Sequence, residues 1–138
     1  MASRRDARRV ALDILYQADV TGADPIAVLA EWIAAGREVD AFARELVSGV
    51  AMHLGAIDST IGEHARGWTV RRMASVDRTI LRVACEELLH RADVPAGAAI
   101  SEAVDAANEL STEDSGRFVN GILGQIAREG VREADDRA

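Results

Sequence analysis

Apolar residues recur along this chain at three- and four-residue intervals, the spacing that lines up side chains on one face of an α-helix. Ala7, Ala11, Ile14, Leu15 and Ala18 follow it first and predict a helix from about Ser3 to Asp19 with one buried stripe. Thr21-Gly22-Ala23 breaks the pattern. Asp24-Pro25 restarts it, with an aspartate suited to the N-cap and a proline suited to the first helical position. That second helix is expected to bury Ile26, Leu29, Trp32 and Ile33 and to stop near Gly36. A longer run begins near Asp40 and keeps Phe42, Leu46, Val50, His53, Leu54, Ile57 and Ile61 on one face as far as Ala65. Gly49, Gly55 and Gly62 are points where it would bend or divide. Thr69 is read as the cap of a short turn ending near Met73, and Ser75 as the cap of the next helix.

The strongest periodicity lies between Val76 and Arg91. Val76, Ile80, Val83, Ala84 and Leu88 form one stripe, and Leu81, Cys85 and Leu89 widen it, which predicts the central and most buried helix. Asp93-Val94-Pro95 ends it, because a residue before proline disfavours the helical region. Ile100, Ala103, Val104, Ala107 and Leu110 mark another helix. After the polar connection Ser111–Ser115, Phe118, Val119, Ile122, Leu123 and Ile126 mark the last. Nothing alternates with the period of two expected of a half-buried strand. The pattern therefore predicts an all-α helical bundle of about seven helices in two small subdomains, near residues 1–67 and 68–130. A flexible charged tail is expected at 131–138.

Composition refines this picture. Hydrophobic residues make up 49% of the 138 and aromatics 4%, so the core must be aliphatic. No apolar run approaches the roughly 20 residues needed to span a bilayer. The single cysteine, Cys85, has no internal disulfide partner, and a cytoplasmic protein without membrane contact is expected. The net charge of −7 opposes indiscriminate attraction to nucleic acid. Against it, Arg4, Arg5, Arg8 and Arg9 cluster at the start, opposed there only by Asp6.

Motifs for catalysis are missing. There is no glycine-rich phosphate loop and no lysine to complete one. His53, His64 and His90 are at least eleven residues apart and lack paired cysteines, so neither a metal site nor a cofactor is expected. Cys85 reads as a buried, inert thiol. Glu86 and Glu87, on different helix faces, read as solvated. The chain is not expected to be an enzyme.

Two segments carry chemistry suited to binding. On the first helix Arg5, Arg9, Leu12 and Tyr16 share a stripe, with Arg8 between it and the buried one and Arg4 nearer the buried side. A guanidinium grips phosphate bidentately, and a tyrosine ring offers a stacking face for single-stranded RNA. A solvated basic end with Tyr16 half-buried is the plainer alternative. The second segment is Asp114–Gly121. Asp114 or Ser115 would cap the last helix, Arg117 would sit in its first turn, and the Asn120 amide would be able to read base edges. A merely structural capped helix, with Phe118 in the core and Gly121 permitting close helix packing, is the plainer reading of that segment.

The chain also resembles a known family. Trp68, Val76-Asp77-Arg78-Thr79-Ile80-Leu81-Arg82, Glu87-Leu88-Leu89, Asp93-Val94-Pro95, Ile100-Ser101-Glu102-Ala103-Val104, Asp114-Ser115 and Phe118-Val119-Asn120-Gly121-Ile122-Leu123 occur in the order of the NusB family. Arg4-Arg5-Asp6-Ala7-Arg8 with Ala11-Leu12 and Leu15-Tyr16 is similar to that family's arginine-rich first helix, and Phe42, Leu46 and Gly49-Val50 fit its middle. The resemblance implies two helical subdomains and a role in transcription antitermination. Its partners would be the ribosomal protein NusE, boxA RNA of nascent ribosomal transcripts and the elongating RNA polymerase. Carried over by position, Arg4, Arg5, Arg8, Tyr16, Arg117, Phe118 and Asn120 would contact RNA. Asp77 would lie on the NusE-binding face, and Asp114 matches a position tied to antitermination. Arg9 is added on helical geometry alone. Asp6 and His64 depart from the pattern: the first interrupts the basic run, and the second, standing where relatives can carry an aromatic residue, reads as a solvated helix-end histidine.

Two other readings follow from the same residues. One is the NusB-like RNA-binding domain of a ribosomal RNA methyltransferase, disfavoured because the sequence ends at residue 138. The other is a helical homodimer whose interface hides the arginines.

Overall fold

The computed structural model describes the backbone of residues 3–137 and the side chains of residues 3–129. Six α-helices and one short 3-10 turn account for it, and the described residues contain no strand: α1 (Arg4–Thr21), α2 (Pro25–Ala34), α3 (Ala41–His64), the turn Val70–Arg72, α4 (Ser75–His90), α5 (Ala96–Leu110) and α6 (Glu113–Arg137). The expected tail at 131–138 lies outside the residues whose side chains are described.

Local chemistry sets most of the boundaries. Ser3 caps α1 by accepting the Asp6 N–H, and Gly22 closes it in the left-handed region at φ 73°, which glycine reaches without steric penalty. Asp24 and Asp40 cap α2 and α3 by accepting from the N–H groups of Ile26 and Phe42. Two capping expectations need correction. Ser75 is the first residue of α4, with Ala74 at the cap position. At α6 the capping oxygen belongs to Thr112, which accepts the Ser115 N–H at 3.1 Å, ahead of both Asp114 and Ser115. α3 is continuous through all its glycines.

α4 is the axis of the bundle and packs against α1, α3, α5 and α6. Its aliphatic stripe (Ile80, Leu81, Val83, Ala84, Cys85) is buried and joins residues from the other five helices in one core. Burial pushes the Cys85 thiol up to about 12, so it stays protonated and inert. In α2 the buried residues are Val28 and Leu29, while Ile26 and Ile33 are exposed. That helix therefore presents a narrower face to the core than its apolar content suggested.

The polar residues of α4 key it to its neighbours. Arg78 and Arg82 both reach Asp19 of α1, and Arg82 also forks onto Asp58 of α3. Burial alone would raise the Asp19 carboxyl, but hydrogen bonds and charge from Arg78, Ser75 and Arg82 hold it below its ordinary value. Glu86 and Glu87, expected to be solvated, are both buried. They do point to different faces: Glu86 toward His53 of α3, Glu87 toward Arg8 of α1.

Candidate nucleic-acid interface

The arginines of α1 divide by depth. Arg8 is buried, and its Nε donates to Glu87 Oε1 at 2.7 Å. Burial raises the Glu87 carboxyl, and the Arg8 charge works against that rise. Removing one partner of such a pair strands a charge in the interior at about 3–5 kcal/mol. The pair is thus a structural pin between α1 and α4.

Arg4, Arg5 and Arg9 stay nearer water. Arg4 lies over the Phe42 ring at 4.4 Å and pairs with Asp93 at 2.8 Å. Arg91 and Arg4 together hold the Asp93 carboxyl well below the usual carboxylate range. Arg5 and Arg9, one turn apart on α1, face Glu102, Asp105 and Glu109, which share one face of α5 at i, i+3 and i+7. Arg5 meets Glu109 at 3.2 Å and the other two at 3.8 Å, and Arg9 meets Glu109 at 3.0 Å. Arg9 Nη2 is buried without a hydrogen-bond partner. Solvent-facing pairs of this kind contribute about 0–1 kcal/mol each, little enough for a phosphate to replace the carboxylate.

Tyr16 continues this surface away from the arginines, with 42% of its area exposed. It lines a cleft with Leu12, Asp13, Val76 and Leu110, where α1 meets the start of α4 and the end of α5. A second groove begins at the next residue of α4. Asp77 lines it with Trp68, Arg72, Met73, Asp114 and Phe118. Trp68 is 53% exposed and meets the Phe118 ring edge-on, with centroids 6.4 Å apart. Arg117 and Asn120 are exposed on the first turns of α6, and Arg117 pairs with Asp114. Asp77 Oδ2 accepts from the Ser115 hydroxyl at 3.2 Å, while its Oδ1 is buried and unpartnered.

The fold thus sets Arg5 and Arg9 against α5, Arg4 over Phe42 and Tyr16 in the cleft between α1, α4 and α5, and it brings Asp77, Asp114 and Phe118 together round one groove, with Arg117 and Asn120 exposed on the same helix as Phe118. Arg8 is buried. Sequence reasoning missed the acidic face of α5, although the spacing of Glu102, Asp105 and Glu109 could have shown it. It also left Trp68 and Arg72 without a place in the site.

The chain has counterparts among known proteins. The sequence profile of the NusB family matches residues 5–128. Transcription antitermination protein NusB of Symbiobacterium thermophilum is 45% identical, over 97% of this chain and 96% of its own length. The chain belongs to the NusB family. NusB of Beutenbergia cavernae is 48% identical over 93% of this chain and 91% of its own. Among solved structures, T. maritima NusB superposes with a TM-score of 0.86 at 33% identity, covering 99% of both chains. A crystal structure of antitermination factors NusB and NusE in complex with double-stranded RNA gives 0.79 at 30% identity, over 91% of this chain and 96% of that one. The all-helical bundle predicted from periodicity, and the NusB fold implied by the resemblance, are the ones observed.

His64, the departure near the end of α3, is not solvated. Its side chain is 11% exposed, with Nδ1 2.7 Å from the Thr60 carbonyl and Nε2 2.7 Å from Glu129. Burial alone would lower its pKa. Two acceptors on the two ring nitrogens favour the doubly protonated form, and the net shift is upward.

Proposed function

We propose that this chain is a transcription antitermination factor that binds boxA-type RNA of nascent ribosomal transcripts together with NusE, and delivers that complex to elongating RNA polymerase. It acts by binding, in the cytoplasm, without catalysis or a cofactor. The observation that carries this reading is membership of the NusB family; solvent-facing arginines on α1, an exposed tyrosine and a Trp68–Phe118 groove supply chemistry suited to it.

Here Arg4, Arg5 and Arg9 hold phosphates, and Tyr16 and Phe118 offer faces for unstacked bases. Arg117 and Asn120 complete the RNA side. Asp77, at the lining of the Trp68–Phe118 groove, and the exposed Asp114 face the protein partner. Arg8 supports this surface from below by fixing α1 on α4. We also assign α1–α3 and α4–α6 to two subdomains meeting near Gly67.

The test is binding to boxA-containing and scrambled RNA, with and without NusE, at two salt concentrations. The reading expects preference for boxA, strengthened by NusE and weakened by salt. Equal weak binding to both RNAs, unchanged by NusE, contradicts it. A homodimer that persists with NusE bound would exclude dimerisation as a stored form that hides the arginines.

A further inference from the structure

Two of the three histidines dismissed on spacing alone come together in the fold. His53 of α3 and His90 at the end of α4 stack with ring centroids 3.8 Å apart and planes inclined by 19°. Between the two helices lies Glu86, one turn before His90 at i, i+4, its side chain only 5% exposed. His53 Nδ1 stands 2.9 Å from Glu86 Oε2 and 3.2 Å from Oε1. Among the described residues, His53 is the only group within ion-pairing distance of this carboxylate. The three side chains can each offer one ligand atom, all within 4.8 Å of one another.

The backbone makes room for this cluster. A Cβ at Gly49, one turn before His53 on α3, would fall 2.3 Å from Glu86 Oε1. Glycine there lets α3 approach and leaves the carboxylate its place. A buried carboxylate needs compensating positive charge or strong hydrogen bonds, and none of the described arginines pairs with Glu86. Two imidazoles and one carboxylate form the donor set that borderline divalent metals such as zinc, nickel and cobalt select.

We infer that His53, Glu86 and His90 form a divalent transition-metal site of the zinc class, apart from the RNA-binding residues. His53 and Glu86 already stand near the separation of about 3.3 Å that two ligands have on one tetrahedral zinc. The metal replaces the proton shared between them. His90 is exposed at the end of its helix and rotates out of the stack to bring its nitrogen in. Water fills the fourth position. The bound ion neutralises Glu86 and ties α3 to α4.

The experiment is titration of the untagged full-length chain with Co(II), followed by visible absorption and by displacement with Zn(II), with thermal melting read in parallel. Expected are saturation at one ion per chain, a cobalt spectrum of nitrogen and oxygen ligands, and a melting temperature that rises with zinc. Exposed His90 makes His90→Ala the clean variant. It should fold as the parent does and lose affinity at least about tenfold, comparable to losses when a metal site's supporting groups are removed. His64→Ala should bind as the parent does. Absence of saturable uptake, or undiminished affinity in His90→Ala, overturns the site.

Discussion

Arg8 and Arg5 leave the same helix one turn apart and meet carboxylates at 2.7 and 3.2 Å, yet the two pairs behave differently. Arg8 and Glu87 are buried; Arg5 and Glu109 are about half exposed. In the interior the pair cannot be opened without stranding a charge, so Arg8 holds α1 in place. At the rim the same chemistry is screened and nearly free to exchange, so Arg5 can trade a carboxylate for a phosphate. Depth decides which of the clustered arginines pins the fold and which is open to exchange its partner.

The contrast breaks most sharply at the buried pair. Arg8→Ala should lower unfolding stability by about 3–5 kcal/mol in urea denaturation, whereas Arg8→Met combined with Glu87→Leu should restore much of it. An Arg8→Ala chain as stable as the parent would contradict the pin. Next in size is Tyr16→Ala. Loss of one stacked base should weaken RNA binding by about 1–3 kcal/mol in a fluorescence titration, with helicity unchanged.

Smaller effects sharpen the rim. Glu109→Gln removes the partner shared by Arg5 and Arg9. It should tighten RNA binding several-fold at low salt, with the gain fading at high salt because the competition is screened. Smallest is the pH response of His64. Its folded pKa is raised above 6.5, so the stability it contributes is full below that value and is lost as pH rises through the folded pKa. NMR titration of His64, compared with Glu129→Gln, checks this; an unchanged midpoint in the variant would remove the Glu129 contact from the explanation.

Much of this molecule was legible because helices announce themselves locally. Periodicity placed the α4 stripe and put helix starts near Ser3 and Asp40, and Asp24-Pro25 marked another with side-chain chemistry that acts within three residues. What stayed hidden depends on partners far along the chain. Glu86 and Glu87 read as solvated because adjacent glutamates usually are, and only the packing of α4 between α1 and α3 buries both. His53 and His90 are 37 positions apart in sequence and stacked in space. Ile26 and Ile33 looked like core, but the α2 face that meets α1 and α3 is narrower than its apolar content. For the site, the family resemblance and helical geometry supplied the arginines and Tyr16. Neither could show that Arg8 lies under the surface or that α5 carboxylates cover its neighbours.

The most direct test of depth as the deciding variable is the salt dependence of RNA binding by the Arg5→Ala/Arg9→Ala double variant. Each phosphate contact on single-stranded RNA contributes about −0.7 to the slope of log affinity against log salt. The account predicts a slope shallower by about 1.4, with unfolding stability within roughly 1–2 kcal/mol of the parent's. A slope equal to the parent's would mean that these arginines do not hold phosphate, and would contradict the account at its centre.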